Sequence, residues 1–217
     1  MESTSAVVRA PGEVAVETFE VPEVTDETAV LAVELGGVCG TDPKIYDGKV
    51  YRENLPAVLG HEILGRIEAV GEEAARRLGV ATGDRVVVEA QRRCGDCEHC
   101  LRGQYQFCDV EPSYGFRTVE DPPGLWGAHG EHLYLEPGTT VHPIDESVPA
   151  EAAVLACAVV GNSVRWLQAG GPELVGKSLV IQGPGPQGLS MTAVAARAGL
   201  SPIVVAGLPG DEERLAL

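Results

Sequence analysis

Ser178-Leu179-Val180-Ile181-Gln182-Gly183-Pro184-Gly185-Pro186-Gln187-Gly188 decides how the C-terminal part of this chain folds. Its first half is a short apolar run that reads as a buried strand, and its second half carries the spacing G-x-G-x-x-G. A helix is predicted over 189–198 and a second apolar strand over 203–206. The glycines therefore join strand to helix in a βαβ unit of about 30 residues. Gly183 permits the tight turn, Gly185 lets backbone approach a pyrophosphate, and Gly188 lets the helix pack close to the strand. The helix N-terminus offers free N–H groups and a partial positive charge to phosphates, although Pro184 and Pro186 each remove one donor. A structural turn in another α/β unit would use the same glycines. On the dinucleotide reading Gly183, Gly185, Pro186, Gln187 and Gly188 are cofactor contacts. Gly207 joins them, because it ends the second strand where a carboxylate commonly holds the ribose 2′-hydroxyl. Its lack of a carboxylate leaves room for a 2′-phosphate. The following Asp211, Glu212 and Glu213, with Arg214 the one cation near them, favour NAD over NADP.

Working back toward the N-terminus, the texture changes near Ser147. Proline and glutamate in Pro149-Ala150-Glu151 open a helix with Ser147 as its expected cap. The helix carries Cys157 and is expected to run on, with a break at Gly161, toward Gln168, where Gly170-Gly171-Pro172 stops it. Everything before it reads as strands and loops, with no long helix. Residues 6–9 and 14–21 form a hairpin about Pro11-Gly12, and strands are predicted at 29–35, 63–70 and 86–88.

The six cysteines fall into two patterns. Cys94-x2-Cys97-x2-Cys100-x7-Cys108 crowds four sulfurs into one loop, which suits a closed structural zinc cage. Cys39 and Cys157 lie far apart, with His61 between them, and a Cys/His/Cys set with a vacant fourth position suits a catalytic zinc. Disulfides or free thiols are the competing reading. An even count fits a secreted scaffold, but such scaffolds are short. The start, Met1-Glu2-Ser3-Thr4-Ser5, has neither a basic region nor an apolar stretch, so no signal peptide is expected. His61 alone could be a satisfied core histidine, and Cys157 alone could be core packing.

With 44% hydrophobic residues the chain has material for a core, and its 27 glycines and 15 prolines favour a turn-rich, strand-rich body. A net charge of −16 argues against nucleic acid, whose phosphates would be repelled. The longest apolar run, 152–161, is about half of a membrane span. A soluble, cytoplasmic protein with neither nucleic-acid nor membrane partners is expected.

Taken together, Cys39-Gly40-Thr41-Asp42, Gly60-His61-Glu62-x-x-Gly65, Gly83-Asp84-Arg85-Val86, the four-cysteine loop, Cys157 and the 183–188 glycines occur in one order across residues 39–188. In that order the chain resembles the zinc-containing medium-chain alcohol dehydrogenases, over about their N-terminal three-fifths. The resemblance implies a mixed α/β fold: a GroES-like, β-barrel-type domain over 1–150, and over 151–217 a linking helix and the first βαβ unit of a Rossmann doubly wound parallel sheet. It implies two zinc ions per chain, Cys39, His61 and Cys157 holding the catalytic one, with Glu62 as an orienting or exchanging carboxylate beside it. Thr41 matches the hydroxyl that starts the family's proton relay, and Lys44 stands where a further relay member, often histidine, would fall. Hydride transfer between NAD(P) and a primary or secondary alcohol or polyol is the implied reaction, with a homodimer or homotetramer for the full-length protein. Trp126 and Tyr114 are candidates for the pocket wall or for plain packing. The chain stops at Leu217, within what reads as the next helix, so a non-catalytic zinc-binding fragment is the alternative. A zinc-ribbon module would explain the cysteine loop but not Cys39, His61 or the glycines.

Overall fold

The computed structural model describes residues 1–109, 112–171 and 173–217. They divide into two compact units, Met1–Val154 and Leu155–Leu217.

The first unit is built on antiparallel strands. β1 (Glu2–Ala10) and β2 (Glu13–Glu20) form the expected hairpin, longer at its start than the apolar pattern indicated. β1 also pairs with the short β4 (Ala57–Val58) to complete a three-stranded sheet. A second sheet, in the order β7-β3-β5-β6-β8, contains β3 (Ala29–Gly37), β5 (Glu62–Val70), β6 (Arg85–Val88), β7 (His132–Leu135) and β8 (Val141–Pro143). Its inward side chains, among them Leu31, Ile63, Ile67, Val86 and Leu133, are essentially solvent-free. Each contributes about 1.5–3 kcal/mol by leaving water. Trp126 and Tyr114 belong to this core at 1% exposure, so packing, not a pocket wall, is their place.

The two ends of the β3/β5 ladder differ. The ladder slips between Val33 and Leu35, a bulge that leaves Glu34 out of register. Both Glu34 carboxylate oxygens accept from Arg85, at 2.7 and 2.9 Å. Arg85 also donates to the carbonyls of Asp145 and Val148, tying down the segment that leads out of the sheet. Beyond the bulge, at the last rung of the ladder, Gly37 stands opposite Glu62.

Two short helices in this unit, α1 (Thr41–Tyr46) and α2 (Glu72–Leu78), were not foreseen by the strand pattern. A third, α3 (Glu98–Leu101), lies within the cysteine loop. The expected capping role of Ser147 fails. α4 (Ala150–Ala153) has Pro149 at its N-cap, while the Ser147 hydroxyl donates to Asp145 at 2.6 Å. A bond to a near neighbour competes successfully with the cap.

In the second unit the chain makes one π-helical turn, Ala156–Val160, and then α5 (Gly161–Ala169). The predicted break at Gly161 is therefore misplaced. Gly161 is helical, with φ −56° and ψ −45°, and the irregularity lies in the π turn before it. Pro172, expected to stop the helix, lies outside the described residues. β9 (Leu179–Gln182) and β10 (Ile203–Ala206) pair in parallel, joined by α6 (Pro186–Arg197), and α7 (Glu212–Leu215) follows. α6 starts three residues earlier than the pattern indicated, because Pro186 at the first helical position needs no hydrogen-bond acceptor and has its φ preset. Leu167, Ala195 and Leu200 form this unit's core.

Candidate metal centre, cysteine loop and glycine loop

Cys39 and His61 are 22 positions apart in sequence, yet the strand pairing brings them together. Each lies just beyond the matched ends of β3 and β5, where Gly37 faces Glu62. One ligand atom from each of Cys39, His61 and Glu62 falls within 4.8 Å of the others. Sulfur, imidazole nitrogen and carboxylate oxygen at that spacing are a donor set that fits zinc.

Asp42, for which the sequence suggested no role, belongs to this cluster. It is 4% exposed, and its Oδ2 accepts the Cys39 backbone N–H at 2.7 Å. Its Oδ1 lies 3.7 Å from Nδ1 of His61, and neither atom has a hydrogen-bond partner among the described residues. A carboxylate three positions after a loop cysteine was the available signal, since such residues close tight turns onto backbone N–H groups. Burial raises the Glu62 carboxyl above its ordinary pKa against the pull of His61, and Asp42 adds to the rise. A cation held among these groups would reverse that tendency.

Thr41 opens α1 with its Oγ1 3.8 Å from Sγ of Cys39. Lys44 is exposed toward the far end of the same helix, and its carbonyl accepts from the backbone of Lys49. Phe116 lies 5.0 Å from the His61 ring, and Tyr51 meets Phe116 edge-on at 5.2 Å. Tyr51 is the one non-glycine residue with positive φ among the described residues, at +52°. Neither aromatic carries a sequence signal, since each is a single residue in a loop.

Cys94, Cys97, Cys100 and Cys108 converge as a second group within 4.8 Å. Backbone N–H groups of Cys97 and Cys100 point at the sulfurs of Cys94 (3.3 Å) and Cys97 (3.5 Å). The Cys100 N–H favours the Cys97 thiolate, but burial and the neighbouring thiols outweigh it, and the pKa is pushed up to about 12. Four such sulfurs sharing one cavity are suited to a cation that takes their protons' place.

In the second unit Gly183 takes φ +98°, and a β-carbon on Gly188 would collide with the Gly183 carbonyl. Gly185 caps α6, and among the described residues beyond its chain neighbours no atom lies within 4 Å of where its β-carbon would be. The protein itself does not require glycine there, and the open side is a cradle that a phosphate could fill. Gln187 turns away from a purely cofactor role: its Nε2 donates to the carbonyl of Ala158 at 3.4 Å. Ser163 and Ser190 both donate to the carbonyl of Val159. The π turn bearing Cys157 is thus tied to the glycine-loop helix, and π turns recur at functional positions. Gly207 lies at the end of β10 beside Asp211, whose Oδ2 accepts the Leu208 N–H at 2.9 Å. Arg214 lies 3.4 Å from that same carboxylate.

Residues 25–146 match the alcohol dehydrogenase GroES-like domain family. A probable alcohol dehydrogenase of Mycobacterium tuberculosis is 37% identical over 97% of this chain and 58% of its own length. An erythritol/L-threitol dehydrogenase of Mycolicibacterium smegmatis is 32% identical over 99% of the chain and 60% of its own. Among solved structures, an alcohol dehydrogenase from Thermotoga maritima superposes with a TM-score of 0.86 at 27% identity, over 98% of this chain and 60% of that one. With this sheet order, cysteine loop and glycine turn, the chain belongs to the zinc-type medium-chain alcohol dehydrogenase family. It spans about three-fifths of the length of the relatives it matches.

Proposed function

We propose that the protein of which this chain forms the metal-bearing part is a zinc-dependent oxidoreductase, passing hydride between a primary or secondary alcohol, or a polyol, and NAD(P). The observation that carries this reading is the convergence of Cys39, His61 and Glu62 at the paired ends of β3 and β5. A separate four-cysteine cage in the same unit supports it. On this reading Cys39 and His61 hold the catalytic ion, with Cys157 as the further ligand that the family resemblance implies, and the loop cysteines hold a structural ion.

Zinc, when bound, supplies Lewis acidity that polarises an alcohol or carbonyl oxygen and eases loss of the alcohol proton. The chain's own residues do the rest. Asp42 fixes the Cys39 backbone and faces His61. Thr41, with its hydroxyl beside Cys39, would relay the alcohol proton, accepting it at Oγ1 while passing its own hydroxyl proton on toward solvent. Exposed Lys44 stands where the proton leaves toward solvent. Glu62 is the orienting carboxylate, buried beside both ligands. Phe116 shields one face of the His61 ring from water. Gly183, Gly185 and Gly188 shape the pyrophosphate cradle, while the carboxylates near Gly207 favour NAD over NADP.

A second reading, a zinc-binding piece without catalysis of its own, is favoured by one observation. Val180 and Val204, on the paired β9 and β10, are 73% and 52% exposed. The test is to load the chain with zinc, titrate it with NADH and NADPH, and assay a panel of alcohols and polyols with each oxidised cofactor. Turnover that vanishes in Cys39→Ser supports the dehydrogenase. Full zinc with no nucleotide bound would leave only the second reading for this chain.

A further inference from the structure

His129 is not a member of the Cys39/His61/Glu62 cluster, yet its side chain touches the backbone on both sides of it. Its Nε2 lies 3.3 Å from the carbonyl oxygen of Gly37, two residues before Cys39. Its ring covers Gly60, immediately before His61: a β-carbon on Gly60 would stand 2.7 Å from Cδ2 and 3.0 Å from Nε2. Gly60 has φ +93°, so the backbone is already committed to a conformation that keeps this face clear. The segment carrying His129 is itself held firmly. Ala128 donates to the Gly60 carbonyl at 2.9 Å, His129 to the Leu59 carbonyl at 3.0 Å, and Ala6 donates to the His129 carbonyl at 2.8 Å.

We infer that His129 is a positioning residue which, by donating Nε2–H to the Gly37 carbonyl while its ring backs Gly60, sets the separation of Cys39 and His61. The last rungs of the β3/β5 ladder end at Gly37 and Glu62, so beyond them no strand pairing among the described residues fixes that separation. A bond from a third segment does so. The geometry requires hydrogen on Nε2, since a carbonyl can only accept. A phenyl ring would fill the same space without the bond. A glutamine could restore a donor at a comparable distance from the backbone.

This inference rests on the proposed metal reading, and the experiment separates the two. Zinc affinity of the Cys39/His61 site is measured by chelator competition in the full chain, in His129→Phe and in His129→Gln, alongside the visible spectrum of the cobalt-substituted site. The four-cysteine loop serves as internal control for folding. The expected result is an affinity loss of about tenfold or more in His129→Phe, the range seen for groups that orient ligands, with an altered cobalt spectrum. His129→Gln should recover most of both. Equal affinity and spectrum in His129→Phe and the parent would overturn the inference and leave the metal reading standing. Equal losses in both variants would also overturn it, since the donor would then not matter. A parent chain holding no second ion would sink both readings together. Should His129→Phe fail to fold, the imidazole of the parent decides: nitrogen NMR showing no hydrogen on Nε2 contradicts the inference, and hydrogen on Nε2 supports it.

Discussion

The carbonyl oxygen of Gly183 occupies the space that a β-carbon on Gly188 would need, whereas Gly185, between them, faces open space. Gly188 therefore answers to the fold, whereas the fold makes no such demand at Gly185, where the proposed pyrophosphate would be held.

Gly188→Ala should loosen α6 from β9 and destabilise the second unit by the roughly 1–3 kcal/mol typical of overpacking, read as a lower thermal midpoint. Gly185→Ala, at φ −74° and with no neighbour to meet, should leave the unfolding curve unchanged and weaken NADH binding at least tenfold. The two measurements, circular-dichroism melting and nucleotide titration, should move in opposite variants.

The high thiol pKa at Cys97 in the four-cysteine loop means that this sulfur carries its proton at neutral pH when no metal is bound. Loading the loop with zinc near pH 7 should release at least that proton, because only thiolates bind. Calorimetric titrations in buffers of different ionisation enthalpy measure this. No proton release would show that the sulfurs do not ligate the ion.

Tyr114 is fully buried, and burial raises its phenol above the usual pKa despite the hydrogen bond with Thr139 and the nearby Arg92. The unfolded chain loses this proton first, near pH 10. Above that pH it binds fewer protons than the folded chain, so stability falls as pH rises through the unfolded pKa. Tyr114→Phe should flatten this alkaline fall in denaturant titrations. At neutral pH it should cost about 1–3 kcal/mol, because the N–H of Glu136 loses its acceptor.

Arg85 and Arg66 both pair with acidic residues, but their side chains are 3% and 43% exposed respectively. Removing a buried partner strands charge and carbonyl acceptors. Arg85→Ala should therefore cost about 3 kcal/mol, reduced somewhat by the partial exposure of Glu34. Arg66→Ala should cost about 0–1 kcal/mol despite its bidentate contact with Glu146. Urea unfolding of both variants separates the cases.

The parts legible in sequence were those whose physics is local. Alternating burial along β1, the apolar runs of β5 and β9 and the glycine turn each follow from neighbouring residues. Cys39 and His61 were legible through their flanking motifs, although what brings them together is strand pairing that no spacing states. The π turn around Cys157 left no mark, because an extra residue in a helical turn changes hydrogen bonding and not composition. The bulge at Glu34 depends on a partner strand some thirty residues on, and Ser147 lost its cap to a competing bond with Asp145. His129 was invisible for the same reason as Phe116. Each matters only for what a distant segment places beside it.

Zinc content per chain, on protein freed of adventitious metal, tests the two-site arrangement most directly when measured for the parent, Cys39→Ser and Cys97→Ser. Two zincs are expected in the parent and one in each variant, with nucleotide-dependent turnover lost in Cys39→Ser. One zinc in the parent, unchanged in Cys39→Ser, would contradict that arrangement and leave the four-cysteine loop as the chain's sole metal site.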